Sequence, residues 1–351
     1  MDSSTKTIIT LIFIIIIFWL LNLMSTLLIP LILAFFAAAL FQPLVQFLKK
    51  FKIPNWIIIP FILLISIVIL LGIFMIIQST MVDIIADSNY LSQRISQRIN
   101  EIFIWANHTF GSRLSLNRIY KQLITQADTI WISQKATQIL STISDFTSSF
   151  VMFLLYYIVF LSGMANYKQY FAYVENNNPD SKITKSYERI QKSINNYLIL
   201  KTLISIFTGF AAYLVCIIFG VQFALLWGFI TFVLSYIPNI GAIISSAFPV
   251  IMAFINIDSL GSILLFAGIL TVLHFFIGSV IEPIIMGSNM SINTLTVIFG
   301  LVFWGFIWGI PGMMLSVPLL VVIKIIFEQF PSLQLFARIM GVPEKDTSPH
   351  S

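Results

Sequence analysis

The chain has 351 residues, 58% hydrophobic and only 9% charged. A soluble domain carries about 25% charged residues, so there is too little charge here to face water, and most of the surface must face lipid. The net charge of +5 does not point to nucleic acid, because the basic residues fall between apolar runs, where membrane topology accounts for them.

A membrane-spanning helix needs about 20 mostly apolar residues. The runs that qualify are 7–23, 26–48, 56–82, 149–165, 197–219, 223–255, 260–281 and 295–327. Lys6 followed by residues 8–21 has the form of a signal peptide, but no A-x-A site follows and a second apolar run does. The first run is therefore read as a retained anchor. One continuous helix over 8–48 would be roughly 60 Å long, about twice the hydrocarbon core, which predicts a turn within 22–25. The segment 83–148 is polar. In it Leu91, Ile95, Ile99 and Ile102, and then Ile132, Ala136, Ile139, Leu140 and Ile143, recur at helical spacing. These are amphipathic helices. They pack on each other or on a neighbouring subunit, or they serve as a membrane-surface or gating element. The run 223–255 is too long for one straight crossing and is broken at Pro238. It is either one kinked span or a hairpin of two short helices. Cys216, the only cysteine, sits inside an apolar run and reads as a small buried hydrophobe.

Lys49, Lys50 and Lys52 in one loop, and Lys168, Lys182, Lys185, Arg189 and Lys192 in another, place those loops in the cytoplasm. The link 220–222 has no basic residue and faces out. Eight spans with both termini cytoplasmic satisfy this pattern. Lys201 and Lys324 fall near predicted cytoplasmic ends, where snorkelling explains them. The expected fold is an all-α integral membrane protein of about eight transmembrane helices, some broken or re-entrant, with an amphipathic helical extracytoplasmic segment. Residues 1–82 hold helices 1–3, 83–148 the outer segment, 149–330 helices 4–8, and 331–351 a cytoplasmic tail.

No catalytic constellation is visible. His108, His274 and His350 are too scattered for a metal cluster. Walker A, G-x-S-x-G, H-E-x-x-H and paired-cysteine patterns are all missing, so neither an enzyme nor a metal or organic cofactor is expected. The informative third is the last. Pro238, Asn239 and Gly241, with Pro249 after them, mark one helix break. Glu282 and Pro283, leading to Gly287, mark a second. Trp304 to Gly312, with Pro311 and then Pro318, marks a third. Proline removes a backbone donor, and in lipid the freed carbonyls need new partners, of which Asn239 could be one. Discontinuous helices of this kind build substrate sites in secondary transporters. Gly305 and Gly309 form a GxxxG packing step. Trp304 and Trp308, four residues apart, mark an interface belt or line a cavity. Glu282 is a carboxylate at a break, suited to binding a proton or cation. His274, eight residues earlier, lies about 80° around and about 12 Å along a regular helix from it. It reads either as a partner in one cavity or as a packing histidine.

These motifs, in this order and spacing over 197–327, resemble the autoinducer-2 exporter (AI-2E) family, also called PerM-type permeases. The quoted elements are Ile237-Pro-Asn-Ile-Gly241 with Pro249, Glu282-Pro283 to Gly287, and Trp304 to Pro318. The resemblance implies about eight spans, a homo-oligomer such as a pentamer, and transport without an organic cofactor. Members are linked to autoinducer-2 export and others to sodium–proton antiport. After Gly287 many members carry a basic residue and a histidine-proline, whereas this chain reads Ser288-Asn289-Met290-Ser291-Ile292-Asn293-Thr294. The expected function is a multi-pass transporter of the bacterial inner membrane, among membrane lipids, exporting a small polar solute such as autoinducer-2 under proton coupling. Glu282 would be the coupling carboxylate, and Pro238, Asn239, Gly241 and the 305–311 region would shape the path. The alternatives are a sodium–proton antiporter and a passive oligomeric channel or structural membrane protein.

Overall fold

A computed structural model describes residues 3–110, 129–177, 183–286 and 292–341. All its regular elements are helices. In chain order they are α1 (Ser3–Leu23), α2 (Ser25–Lys50), α3 (Asn55–Ala86), α4 (Ser88–Phe110), α5 (Thr129–Asn177), α6 (Ile183–Ile218), α7 (Ala224–Leu234), α8 (Ile240–Asn256) and α9 (Leu260–Phe276). A π-helical turn (Ile277–Ile281) then leads into α10 (Glu282–Met286), α11 (Thr294–Gln329) and α12 (Gln334–Met340). Gly287 and His350 lie outside the described residues.

The stretches 25–50, 55–86, 189–218, 260–286 and 294–329 are long and apolar enough to cross a membrane. Shorter apolar stretches cover 8–23, 149–164 and the two helices α7 and α8. Large apolar side chains stand exposed along all of these, for example Phe13, Val68, Val159, Phe207, Phe275 and Phe306, as a lipid-facing surface requires. The expected turn falls at Met24, a single residue between α1 and α2 with φ −86° and ψ 8°.

The core forms around α2, whose most extensive packing is against α5. Ala34, Ala38 and Ala39 are at most 1% exposed, and these small side chains let the neighbouring helix approach closely. Tyr157 of α5 is fully buried, and its hydroxyl shares a 2.8 Å hydrogen bond with Ser66 of α3. α5 has 49 residues and is about 73 Å long. It therefore carries both an outer amphipathic half and the crossing at 149–164. α4 packs against α5, which is the expected mutual packing of the outer helices.

Two of the eight apolar runs fold back on themselves. The first is 223–255. Trp227 and Phe248, on opposite sides of the break at Pro238, stack with centroids 6.3 Å apart and planes at 6°. That pairing makes α7 and α8 an antiparallel hairpin and decides the question left open by hydropathy. At 11 and 17 residues its legs are about 16 and 26 Å long, each short of the ~30 Å core. The second is α11, expected as one crossing. Gly309, with φ 64° and ψ −143°, breaks it. A Cβ on Gly300 would stand 2.4 Å from Leu320 Cδ1, and one on Gly305 2.9 Å from the Met313 side chain. In one straight helix residues 300 and 320 would be about 30 Å apart, so α11 is a helical hairpin with its tip at Gly309.

The hairpins enter from opposite ends of the bundle. The base of the first packs on the end of α3 that leads into α4, where Met81, Ile84 and Ile85 meet Phe223, Leu226 and Trp227. The base of the second lies at the other end. There Glu328 pairs with Arg189 at 2.7 Å, and Asn293 N–H donates to Met340 O at 2.9 Å.

α4 also latches the first hairpin. Arg94 donates to Asn256 O and Asp258, and Arg98 donates to Ile257 O at 2.5 Å and to Asp258 at 2.8 Å. The guanidinium groups thus cap the last carbonyls of α8. Arg98 also holds the Glu101 carboxyl below the usual carboxylate range through a hydrogen bond. Arg98→Ala is expected to speed amide hydrogen exchange in 250–258 while leaving the middle of α6 protected. Because Asp258 is 77% exposed, global stability should move by no more than about 1 kcal/mol.

Candidate functional site

Each proline break is repaired by a specific device. At the first hairpin tip Pro238 cannot donate to Leu234 O, which instead accepts from Ile237 N at 2.9 Å. Ile240 N–H donates to Pro238 O at 2.6 Å, closing a three-residue turn about Asn239, whose φ of 60° and ψ of −50° are the strained γ-turn values. Asparagine tolerates positive φ better than most residues. Asn239 is exposed and its side chain makes no cap bond, so its contribution is the turn itself and not the expected partner for a freed carbonyl. Gly241 follows because a Cβ there would lie 1.8 Å from Leu234 O. Pro249 is buried within α8.

This tip is tied to the middle of α6. Thr202 Oγ1 donates to Leu198 O at 2.6 Å and therefore accepts from the Tyr236 hydroxyl at 2.7 Å. Beside Thr202, Lys201 is 2% exposed and its Nζ donates to the Glu282 carboxylate. Lys201 is not a snorkelling residue. Its ammonium is buried against a carboxylate of another helix and does not extend to the protein surface. Lys324 is likewise buried, with its Nζ 3.6 Å from Glu328, so snorkelling does not describe it either.

Glu282 is aimed by the turn before it. Its N–H bonds to Ile277 O, five residues back. This π turn precedes Pro283, which has no N–H to donate to Ser279 O. The π turn alters the regular-helix offset between Glu282 and His274, and His274 has other partners. Ser245 Oγ lies 3.2 Å from its Nε2, while Leu270 O and Ser246 Oγ lie 2.9 and 3.0 Å from its Nδ1. Ser246 donates its own proton to Ala242 O. Leu270 O can only accept, so Nδ1 carries a proton, and both serines of α8 lie within hydrogen-bond reach of the ring, so His274 clamps α9 to α8.

The second tip is repaired in the same way. Pro311 has no N–H for Ile307 O, and Asn22 Nδ2 supplies one at 2.9 Å. In return Trp308 Nε1 donates at 3.1 Å to Leu21 O, a carbonyl left open by the end of α1. Trp304 and Trp308 are 8% and 5% exposed, with ring centroids 4.7 Å apart. They form a buried pair under the α1–α2 turn, and Trp304 also borders an apolar cleft of about 430 Å³ between the two legs. Gly305 faces Met313 of the returning leg and Gly309 is the turn, so the GxxxG step does not lie on one helix face. Gly312 lies against Trp304 O, 2.0 Å from where its Cβ would be. Pro318 is buried in the returning leg.

Sequence reasoning singled out Glu282 and the breaks at 235–241 and 300–312, assigned Lys201 to snorkelling, and gave no role to Tyr236 or Thr202. The cost of a charge deep in a span, the argument that singled out Glu282, applies equally to Lys201.

Comparisons with known proteins identify relatives along nearly the whole chain. A family described as "AI-2E family transporter" matches residues 8–332. The chain is 28% identical over 324 residues to the AI-2 transport protein TqsA of Escherichia coli (strain K12), covering 92% of this chain and 91% of that one. It is 27% identical over 322 residues to a Haemophilus influenzae protein named for transport, covering 91% of each. It is 27% identical over 317 residues to YhhT of Escherichia coli (strain K12), also named for transport, covering 90% of this chain and 88% of that one.

Proposed function

We propose, from the premise that the chain belongs to the AI-2E family of transporters, that it exports a small polar solute such as autoinducer-2 under proton coupling at Glu282. The buried Lys201–Glu282 pair at the tip of the first hairpin carries this reading. Removing charges from water is costly, and here each charge is offset mainly by the other. A proton on Glu282 cancels the carboxylate and leaves the ammonium without its partner. Tyr236 fastens the hairpin tip to Thr202, beside Lys201, so loss of the pair is felt where the hairpin meets α6. The tip then has two states, and the proton biases their balance.

The basic residues orient this device. With Lys49, Lys50 and Lys52 in the cytoplasm of a bacterial inner-membrane protein, α4 lies outside. The first hairpin then enters from outside and the second from the cytoplasm. On this reading α1, α2, α3, α5, α6 and α9 each pass from one side of the membrane to the other, which keeps both termini cytoplasmic. The sodium–proton reading is weaker, because the one carboxylate at the break is already matched by an ammonium.

Uptake of labelled autoinducer-2 into everted vesicles, with and without an imposed proton gradient, tests the proposal. Gradient-driven uptake in the wild type that disappears in Glu282→Gln, at equal protein level, is the expected result. Equal gradient-driven uptake by both proteins would remove Glu282 from the coupling. No uptake by the wild type would remove autoinducer-2 as the solute.

A further inference from the structure

Buried polar groups without partners follow the face of α6 that carries Lys201. Tyr197 lies one turn before Lys201 and Ser205 one turn after it, on the same face. They are 7% and 0% exposed, and neither side-chain oxygen has a hydrogen-bond partner. Thr231 on α7 is also 0% exposed with an unpartnered Oγ1. α6 and α7 run antiparallel, since Thr202 meets Tyr236 and a Cβ on Gly209 would meet Gly228 O. That register sets Thr231 level with residues 206–207 of α6, within one turn of Ser205. The same condition recurs near both ends of α6, at Gln191 Nε2 on one side and at Gln222 Oε1 and Asn256 Oδ1 at the hairpin base on the other. The opposite face of α6 presents Leu203, Ile206, Phe207 and Phe210, all more than half exposed, and is the lipid face.

An unpaired buried polar group costs about 1–3 kcal/mol, and buried polar groups are otherwise paired. Unpaired hydroxyls at Tyr197 and Ser205 thus flank the ion pair one turn to either side, and Thr231 lies on the face of α7 that Gly228 turns to α6.

We propose that the seam between α6 and the first hairpin is the transport route, and that its cargo is a small, electrically neutral solute bearing several hydroxyl or amide groups. The proposal rests on the transport reading above and specifies its path and cargo. The wall offers hydroxyls that both donate and accept at Tyr197, Ser205 and Thr231, an amide donor at Gln191, and amide acceptors at Gln222 and Asn256. Its charges, Lys201 and Glu282, cancel. A neutral solute with many hydrogen-bonding groups satisfies such a wall without bringing a charge into hydrocarbon. The groups are buried in this conformation, so passage requires the hairpin to move away from α6.

The test uses full-length protein in vesicles, with Cys216→Ser as background. Single cysteines are placed on the seam (Tyr197→Cys, Ser205→Cys, Thr231→Cys) and on the lipid face (Leu203→Cys, Phe207→Cys), then exposed to a small water-soluble methanethiosulfonate. The reaction needs a thiolate and hence water, so seam positions should react at least about tenfold faster than lipid-face positions. Equal rates on both faces would overturn the route. A neutral polyol, xylitol, should slow seam labelling while sodium at the same concentration does not. Any other protection pattern overturns the cargo class. As a check independent of cysteine, Ser205→Ala and Thr231→Val should lose flux while matching or exceeding wild-type thermal stability. Unchanged flux in both would also overturn the route. Labelling does not depend on the flux assay. Fast seam labelling without autoinducer-2 uptake discards that solute and keeps the seam, while intact uptake with a silent seam discards the route and keeps the transporter.

Discussion

Glu282→Gln is expected to cost about 3–5 kcal/mol of stability, the range for breaking a buried ion pair from one side, and to abolish gradient-driven flux, with Lys201→Met the milder of the two single variants. The double variant Lys201→Met/Glu282→Gln should regain most of that stability and none of the flux. The asymmetry of burial gives the reason. Lys201 is 2% exposed and the Glu282 side chain 24%, so the ammonium depends most on its partner, and Glu282→Gln alone leaves it unmatched in an apolar span. Replacing both partners with uncharged side chains of similar volume removes the desolvation cost together with the attraction, which is often neutral or favourable. The thermal midpoints of the four proteins in one detergent close a double-mutant cycle. A double variant no more stable than its worse single parent would show that the two groups do not stabilise one another. Recovery of stability without recovery of flux would separate the pair's coupling role from a purely structural one.

The features that local chemistry marks were legible in the sequence. The turn at Met24 followed from length alone, because one helix over both runs would overshoot the membrane. The break at Pro238 followed from the missing donor, and Glu282 from its place beside Pro283. What stayed hidden depends on contacts across the fold. Hydropathy does not distinguish a kinked span from a hairpin, since both are continuously apolar, and the distinction appears only when Trp227 stacks on Phe248. The second hairpin was harder still to see. Gly305 and Gly309 read naturally as a packing step on one helix, yet the conformation of Gly309 turns the chain back. Lys201 was misread because its partner lies 81 residues away. The repair at Pro311 is equally non-local. The donor that Pro311 withholds from Ile307 O comes from Asn22, 285 residues distant, so a break that looks costly in one helix is satisfied by another.

Gly241→Ala is expected to destabilise the protein by at least about 3 kcal/mol, at the upper end of overpacking costs, and to stop transport. The added Cβ would sit 1.8 Å from Leu234 O and 2.7 Å from Leu234 C. Both are backbone atoms, so no rotamer change relieves the clash and the tip itself must open. The tip is already strained at Asn239, where φ is 60°, and strain of this kind persists only where the surroundings enforce it. Gly312→Ala should behave alike at the other tip, where the Cβ would meet Trp304 O at 2.0 Å and press on the Trp304–Trp308 pair beneath the α1–α2 turn. The control is Gly268→Ala on α9, which has nothing within 4 Å of its new methyl group. There the helix propensity of alanine should raise stability slightly, by up to about 1 kcal/mol. The three variants share one chemical change, so thermal midpoints that follow backbone proximity and not helix propensity would establish that both tips need glycine for close approach. Equal midpoints for all three would mean that the tips yield, and that the hairpins are looser than their turn geometry requires.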